Sequence, residues 1–377
     1  MVVLDDDPTG TQTVYDTPVL TGWDTDTLCS ELREGAPLFY ILTNTRAMTV
    51  ERACAVNREI GANLRTASRR AGVAVRVVSR SDSTLRGHYP AEVRALAGAV
   101  GRADAPHLIV PFFEAGGRFT IGDVHYVQEG EHLVPAARTE FARDATFGYR
   151  CSNLREWVEE KHAGAVRASM VASVSLEDLR RGGPERVADV LGKVEPGGVC
   201  VVNGAAMRDM EVLALGLVSA WKAGSELIPR TAASIVPALV GMEPRPLLTA
   251  MEPAPSGNGG GLIVAGSYVS RTTRQLRRLT QRLSPSEVEL DVTRLIDPES
   301  SLEETRRATE LVNRSLSQGE VTLLSTSRRV ITGKDGEASL AIGNRIARCL
   351  NEVVSSLATA PRFIVAKGGI TSSDIAT

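Results

Sequence analysis

Short apolar runs alternate with longer amphipathic stretches along most of the 377 residues, and no other feature of the sequence constrains its fold as strongly. Val2–Leu4, Leu38–Leu42, Ala74–Val78, His107–Val110, Val199–Val202, Gly261–Ala265, Val321–Ser325 and Arg362–Ala366 read as buried strands. Between them, Val50–Ala71 and Thr272–Leu283 repeat their apolar residues at helical spacing. This alternation predicts an α/β fold of mainly parallel sheets flanked by helices on both faces. In such sheets ligands gather beyond the C-terminal strand ends. The turns that follow the strands are therefore the places to look for chemistry.

A single core usually stops growing at about 250–300 residues, so a chain of 377 residues is expected to form two domains. The stretch EPRPLLTAMEPAPSGNGGG, residues 243–261, is rich in Pro and Gly and has little periodicity. It predicts a first domain over 1–242, a linker over 243–260 and a second domain over 261–377, with a ligand cleft between the two. Residues 116–147 show few periodic features and are expected to form an irregular loop or hairpin.

Charge and cysteine content exclude several function classes. Lys and Arg total 43 against 45 acidic residues, a net charge of −2, which leaves no basic footprint for nucleic acid or an anionic membrane. The arginines of 65–70 and 271–278 fall at helical spacing and read as solvated faces. Five scattered cysteines without a CxxC pair argue against a disulfide framework or a zinc site and fit a reducing cytosol. No basic, apolar leader opens the sequence, and no apolar run approaches the ~20 residues of a membrane span. A soluble, cytoplasmic protein is expected, with a homodimer as the commonest assembly for soluble oligomers.

Four strand ends in the first part concentrate polar groups. The first strand runs into Asp5, Asp6, Asp7, Pro8, Thr9 and Gly10. Three successive carboxylates repel one another, so stability alone seldom places them at a strand end. Such a loop can bind a divalent cation, accept hydrogen bonds from a polyol, or supply a general base, whereas a helix cap needs only one acid. The second strand ends in Thr43-Asn44-Thr45-Arg46, where a guanidinium can grip a carboxylate, and Thr49 is placed to cap the next helix. The third leads into Arg80-Ser81-Asp82-Ser83-Thr84-Leu85-Arg86-Gly87-His88, the densest polar cluster in the chain. Arg80 and Arg86 suit an anion, Ser81, Ser83 and Thr84 a polyol or anion, and Asp82 a hydroxyl proton. The fourth brings Gly116, Gly117 and Arg118. Together they point to a small, oxygen-rich, anionic substrate.

The second part differs. Gly266-Ser267-Tyr268-Val269-Ser270 and Lys367-Gly368-Gly369-Ile370-Thr371 each follow a strand and enter a helix, a setting in which free backbone N–H groups bind phosphate. Neither fits the P-loop or the dinucleotide fingerprint. The loop 326–336 can flank the same site, although a surface turn explains it as well.

In order, LDDDPTGTQTV, TNTR, SRSDSTLRGHYPAE, PFFEAGGRFTIGDVHYV, GSYVSRTTRQL and AKGGITSSDIAT resemble the four-carbon acid sugar kinase family over nearly the whole chain. The resemblance implies ATP- and Mg²⁺-dependent phosphorylation of the terminal hydroxyl of tetronates or 3-oxo-tetronates. It implies an N-terminal sugar-acid domain and a C-terminal nucleotide domain. Matched motif by motif, Asp6, Asp7, Arg46, Arg80, Ser81, Asp82, Ser83, Thr84 and Arg86 would hold the sugar acid. Ser267 or Ser270, with Gly368, Gly369, Ile370 and Thr371, would hold ATP. The general base would be Asp7 or Asp82, with Asp7 preferred, and no metal ligand is assigned. Where the family has an acidic pair, an apolar residue and TGA, this sequence reads DDDPTGTQ, and Arg80 stands where lysine is common. The family continues beyond the last motif, so the resemblance implies a nucleotide domain truncated at Thr377. The other reading is a sugar-acid binding protein without kinase activity.

Overall fold

The computed structural model describes residues 1–246, 260–267, 269–368 and 375, without the side chains of residues 270 and 337. It separates into two compact units, Met1–Pro244 and Arg245–Thr377.

The first unit is built on an eight-stranded sheet. Its strands are β1 (Val2–Asp5), β2 (Val19–Leu20), β3 (Phe39–Leu42), β4 (Val77–Arg80), β5 (His107–Val110), β9 (Ala172–Val174), β10 (Val199–Val202) and β11 (Ile228–Thr231). They lie in the order β2-β3-β1-β4-β11-β5-β10-β9, and every pairing is parallel. Between β5 and β9 the chain makes an antiparallel three-stranded meander of β6 (Arg118–Ile121), β7 (Val124–Glu129) and β8 (His132–Pro135).

Alternate residues of the parallel strands serve two separate cores, which explains their unbroken apolar runs. Val2, Leu4, Phe39, Ile41 and Val77 pack with α1 (Thr25–Glu34), α2 (Val50–Ala71), α3 (Ala91–Ala99) and α4 (Leu154–Lys161). Val3, Tyr40, Val78, Leu108 and Val110 pack on the other face with α5 (Gly183–Gly192), α6 (Met207–Lys222) and α7 (Ile235–Leu239). Helix α2 has the span expected from its periodicity. Thr49 caps it by accepting from Arg52 N, and Gly72, at φ 68°, ends it in the left-handed conformation that glycine adopts without strain.

The second unit is a four-stranded parallel sheet in the order β13-β14-β12-β15, from β12 (Gly261–Ala265), β13 (Ser286–Leu290), β14 (Thr322–Thr326) and β15 (Phe363–Lys367). Its helices are α8 (Ser270–Leu283), α9 (Val292–Ile296), α10 (Pro298–Ser317) and α11 (Gly336–Ser355). Leu262, Val264, Val288 and Leu324 form its core with Ala308, Val312 and Leu316 of α10 and Leu350 and Val353 of α11.

Several elements depart from expectation. β4 begins at Val77 rather than Ala74, so Arg80 belongs to the strand itself. The loop or hairpin expected over 116–147 takes the form of the three-stranded meander followed by two 3-10 turns. Strands β2, β9, β11 and β13 were not foreseen. The most consequential is β11, which sits mid-sheet although Pro229 interrupts its donors and Arg230 and Thr231 are polar. Among the described residues no helix is long and apolar enough to cross a membrane.

Candidate functional site

Strand register brings the first-unit motifs to one level. Asp5 pairs with Leu42 of β3 and with Arg80 of β4, and Arg80 pairs with Thr231 of β11. The turns after β1, β3, β4 and β11 therefore converge on one edge of the sheet, the edge that the parallel topology reserves for ligands.

The three acids divide their labour. Asp5 is fully buried in β1, where its Oδ1 meets Arg80 Nη1 at 3.0 Å, and Gly10 packs so closely that a Cβ there would collide with the Asp5 carboxylate. Burial pushes the Asp5 carboxyl up to about 7 in spite of Arg80. Asp6 and Asp7 turn toward Arg46. Arg46 reaches Asp6 Oδ1 with Nη2 at 2.6 Å and Asp7 Oδ2 with Nη1 at 3.1 Å, and Asp82 Oδ1 lies 3.7 Å from Nη1. Asp7 Oδ1 also accepts from the N–H of Thr9 at 2.9 Å and from its hydroxyl. Thr9 therefore orients Asp7, and no side chain caps the short 3-10 turn Gly10–Thr13. Burial alone would raise the Asp7 carboxyl. Arg46 and Thr9 outweigh it and hold the group below the ordinary value.

The loop after β4 supplies the opposite wall. Asp82 Oδ2 accepts from Arg86 Nε at 2.8 Å and from the Thr84 hydroxyl. Burial opposes its ionisation, but Arg86 and Arg46 hold it well below the ordinary value. Ser81 Oγ lies 3.2 Å from Asp6 Oδ2. Three buried side chains pin the loop from behind through its carbonyls. His125 Nε2 donates to Ser83 O at 2.8 Å, Tyr149 Oη to Thr84 O at 2.9 Å, and Arg230 Nη2 to Arg86 O at 2.9 Å. His88 Nε2, lying 2.9 Å from Met48 O and 3.2 Å from Thr45 O, ties the loop to the turn after β3, which is a positioning role.

Asp6, Asp7, Arg46, Arg80, Ser81, Asp82, Ser83, Thr84 and Arg86 are thus assembled in one place. Arg80 is nearly buried against the acids, whereas the Arg86 side chain keeps 26% of its surface. Arg86 and Arg118 both lie on the Phe141 ring, at 5.2 and 5.5 Å, so the meander reaches the same site. The carboxylates of Asp6, Asp7 and Asp82 all face guanidiniums, and no cluster of metal-ligating side chains occurs among the described residues. The acidic loop does not fit a resident divalent cation. Sequence reasoning passed over Arg230, Glu92, His125 and Tyr149. Glu92 lies within the quoted HYPAE run and is 2% exposed.

In the second unit, β12 pairs Ala265 with Lys367 of β15, so the turns at Gly266–Ser267 and Gly368 emerge side by side. Helix α8 starts after Val269 with no side-chain cap, which leaves its first amides available to an anion. Arg328, also unforeseen, braces the first turn: its Nη1 donates to Ser267 O at 2.6 Å and its Nε to Thr326 O at 3.0 Å. Burial, then Arg271, lowers the Lys367 ammonium from its ordinary value. Gly369, Ile370, Thr371 and the Ser270 side chain lie outside the described residues.

Comparison with known proteins divides the chain in the same two parts. A sugar-binding N-terminal domain family matches residues 1–239, and a nucleotide-binding C-terminal domain family matches 262–377. A D-threonate kinase of Salmonella typhimurium LT2 is 28% identical over 395 aligned positions, covering 100% of this chain and 85% of that protein. A D-erythronate kinase of Heliobacterium modesticaldum is 27% identical over 236, covering 60% of this chain and 48% of that protein. Among solved structures, Haemophilus influenzae protein HI1011 shares the fold at TM-score 0.57 and 16% identity, covering 100% of this chain and 87% of that one.

Proposed function

This chain belongs to the four-carbon acid sugar kinase family, and we propose that it transfers the γ-phosphoryl group of ATP to the terminal hydroxyl of a tetronate or 3-oxo-tetronate. The observation that carries this reading is the convergence of Asp7, Arg46, Asp82 and Arg86 on one sheet edge, ionised and held in fixed geometry. A polyol acid offers hydroxyl donors to Asp6, Asp7 and Asp82 and a carboxylate to Arg86, which is the most exposed guanidinium of that set.

Asp7 is the base. It is ionised at neutral pH, because Arg46 and Thr9 outweigh burial and hold it below the ordinary value, whereas Asp82 is held well below it. Asp7 takes the proton of the terminal hydroxyl as that oxygen bonds to the γ-phosphorus. The bond from the γ-phosphorus to the β,γ-bridging oxygen breaks, and ADP leaves with that electron pair. Arg80 stays buried and keeps the acidic loop in register. The Gly266–Ser267 and Gly368 turns, with the open start of α8, hold the ATP phosphates. Mg²⁺ accompanies ATP and offsets phosphate charge.

The deciding experiment is a coupled ADP-release assay with D- and L-threonate, D- and L-erythronate and the 3-oxo-tetronates. Turnover of at least one of these supports the kinase reading. Tetronate binding by calorimetry with no ADP release and no ATP binding would replace it with a sugar-acid binding protein.

A further inference from the structure

Arg230 is a further guanidinium behind the site, and its environment differs from that of Arg46, Arg80 and Arg86. It lies on the central strand β11 at 2% exposure. Arg46, Arg80 and Arg86 each pair with a carboxylate, whereas Arg230 forms no ion pair among the described residues and its Nε has no partner. Its guanidinium instead rests over the rings of Tyr89 and Trp157, at 5.3 and 5.5 Å. A buried charge without a directly paired carboxylate is costly, and two cation–π contacts, together with the more distant Glu92 and Asp6 carboxylates, return only part of that cost. Packing alone would be better served by an apolar side chain. The purpose of the charge lies in what it holds.

What it holds is the Arg86 carbonyl, at 2.9 Å from Nη2. Ser81 Oγ also lies 3.4 Å from that oxygen, but its one proton has a nearer acceptor in Asp6 Oδ2 at 3.2 Å, so Arg230 is the better-placed donor. The next residue, Gly87, has φ +116°, and a Cβ on it would sit 3.2 Å from Arg230 Nη2, Asp6 Oδ2 and Ser81 Oγ alike. The 86–87 peptide is therefore clamped between Arg230 and the acidic loop. Fixing that peptide fixes the direction in which the Arg86 side chain leaves the main chain.

We propose that Arg230 is a positioning residue of the sugar-acid site, acting through the Arg86 carbonyl so that the Arg86 guanidinium meets the substrate carboxylate. The proposal rests on the kinase reading given above.

The test is a double-mutant cycle in the full chain with Arg230→Met, Arg86→Ala and the double variant, read as KM for the sugar acid, KM for ATP and kcat. Losing one hydrogen bond that orients the contact corresponds to a rise of about 3–10-fold in sugar-acid KM for Arg230→Met. The ATP KM stays unchanged, and the double variant is no worse than Arg86→Ala. Effects that multiply in the double variant, or an unchanged sugar-acid KM, overturn the proposal. Should Arg230→Met fail to fold, Arg230→Gln, neutral and too short to reach the carbonyl, takes its place in the cycle. If the wild-type protein turns over no tetronate, the kinase reading is what fails. Hydrogen exchange of residues 82–88 then decides this proposal separately: faster exchange in the Arg230 variant supports it, and equal exchange overturns it.

Discussion

Arg80 and Asp5 are register partners on β4 and β1, and their side chains form a 3.0 Å ion pair at 4% and 0% exposure. The pair sits directly beneath the two acids that turn toward Arg46. At pH 8, where Asp5 is ionised in the wild type, removing Arg80 alone would strand a buried carboxylate beside Asp6 and Asp7. Breaking one side of a buried pair typically costs about 3–5 kcal/mol. Arg80→Met is therefore expected to lower the melting temperature by ~6–20 °C, at the ~2–4 °C per kcal/mol of a domain this size. A melt within a degree or two of wild type would show that the pair braces nothing.

Glu92 makes a stability prediction with a definite sign. Burial, then repulsion from Asp6, pushes its carboxyl up to about 7, and Oε1 has no partner. Because the folded-state value exceeds the unfolded one, the native state holds the proton more tightly. Ionising Glu92 therefore erodes stability as pH rises from about 4.5, the unfolded value, through about 7. Asp5 acts in the same direction between about 3.8 and about 7. Glu92→Gln removes the first contribution, so its stability relative to wild type should rise between pH 5 and pH 8. Chemical denaturation at both pH values measures this, and a difference that shrinks or stays constant would refute it.

Much of the site was legible because parallel strands deliver it as contiguous motifs. The runs at 5–10, 43–46 and 80–88 each follow an apolar strand, and register places Leu42, Asp5 and Arg80 side by side. What stayed hidden reaches the site from elsewhere. Arg230 is carried by a strand whose proline and polar residues imitate a loop. Tyr149 and His125 act on Thr84 and Ser83 from the meander region, at sequence separations of 65 and 42. No local periodicity encodes such contacts. The motif reading also treated the arginines alike, although burial separates Arg80, a brace, from Arg86, which faces outward.

Asp7 and Asp82 are distinguished by kinetics. A positioned general base contributes about 10²–10⁴-fold, so Asp7→Asn should lower kcat by that factor while KM for the sugar acid changes little. Asp82→Asn instead removes the carboxylate 2.8 Å from Arg86 Nε, while Arg46 keeps Asp6 and Asp7, and should act mainly on KM. Since Asp7 is held below the ordinary carboxylate value of 3.8, the wild-type kcat profile should show no acid limb from this group above about pH 4. A near-normal kcat in Asp7→Asn would pass the role to Asp82.

Arg328 offers a prediction confined to the nucleotide half. Its guanidinium donates to Ser267 O at 2.6 Å and to Thr326 O, while the Thr326 hydroxyl donates to Gly266 O at 3.1 Å. The carbonyls of the Gly266–Ser267 turn are thus occupied from within the fold, which fixes the turn's orientation ahead of α8, where no side chain caps the helix. An anion bound there depends on that orientation, because its hydrogen bonds come from main-chain donors that cannot swing independently. Burial also lowers the Arg328 value from its ordinary one, as befits a side chain spent on internal carbonyls rather than on solvent or ligand. Arg328→Met should raise KM for ATP by about 10-fold or more, the loss of one to two charge-assisted hydrogen bonds at ~1.5 kcal/mol each. The sugar-acid affinity, measured by calorimetry without nucleotide, should stay at the wild-type value, because Arg328 belongs to the other folding unit. Parallel losses in both affinities would mean that Arg328 supports general stability and does not shape the phosphate turn.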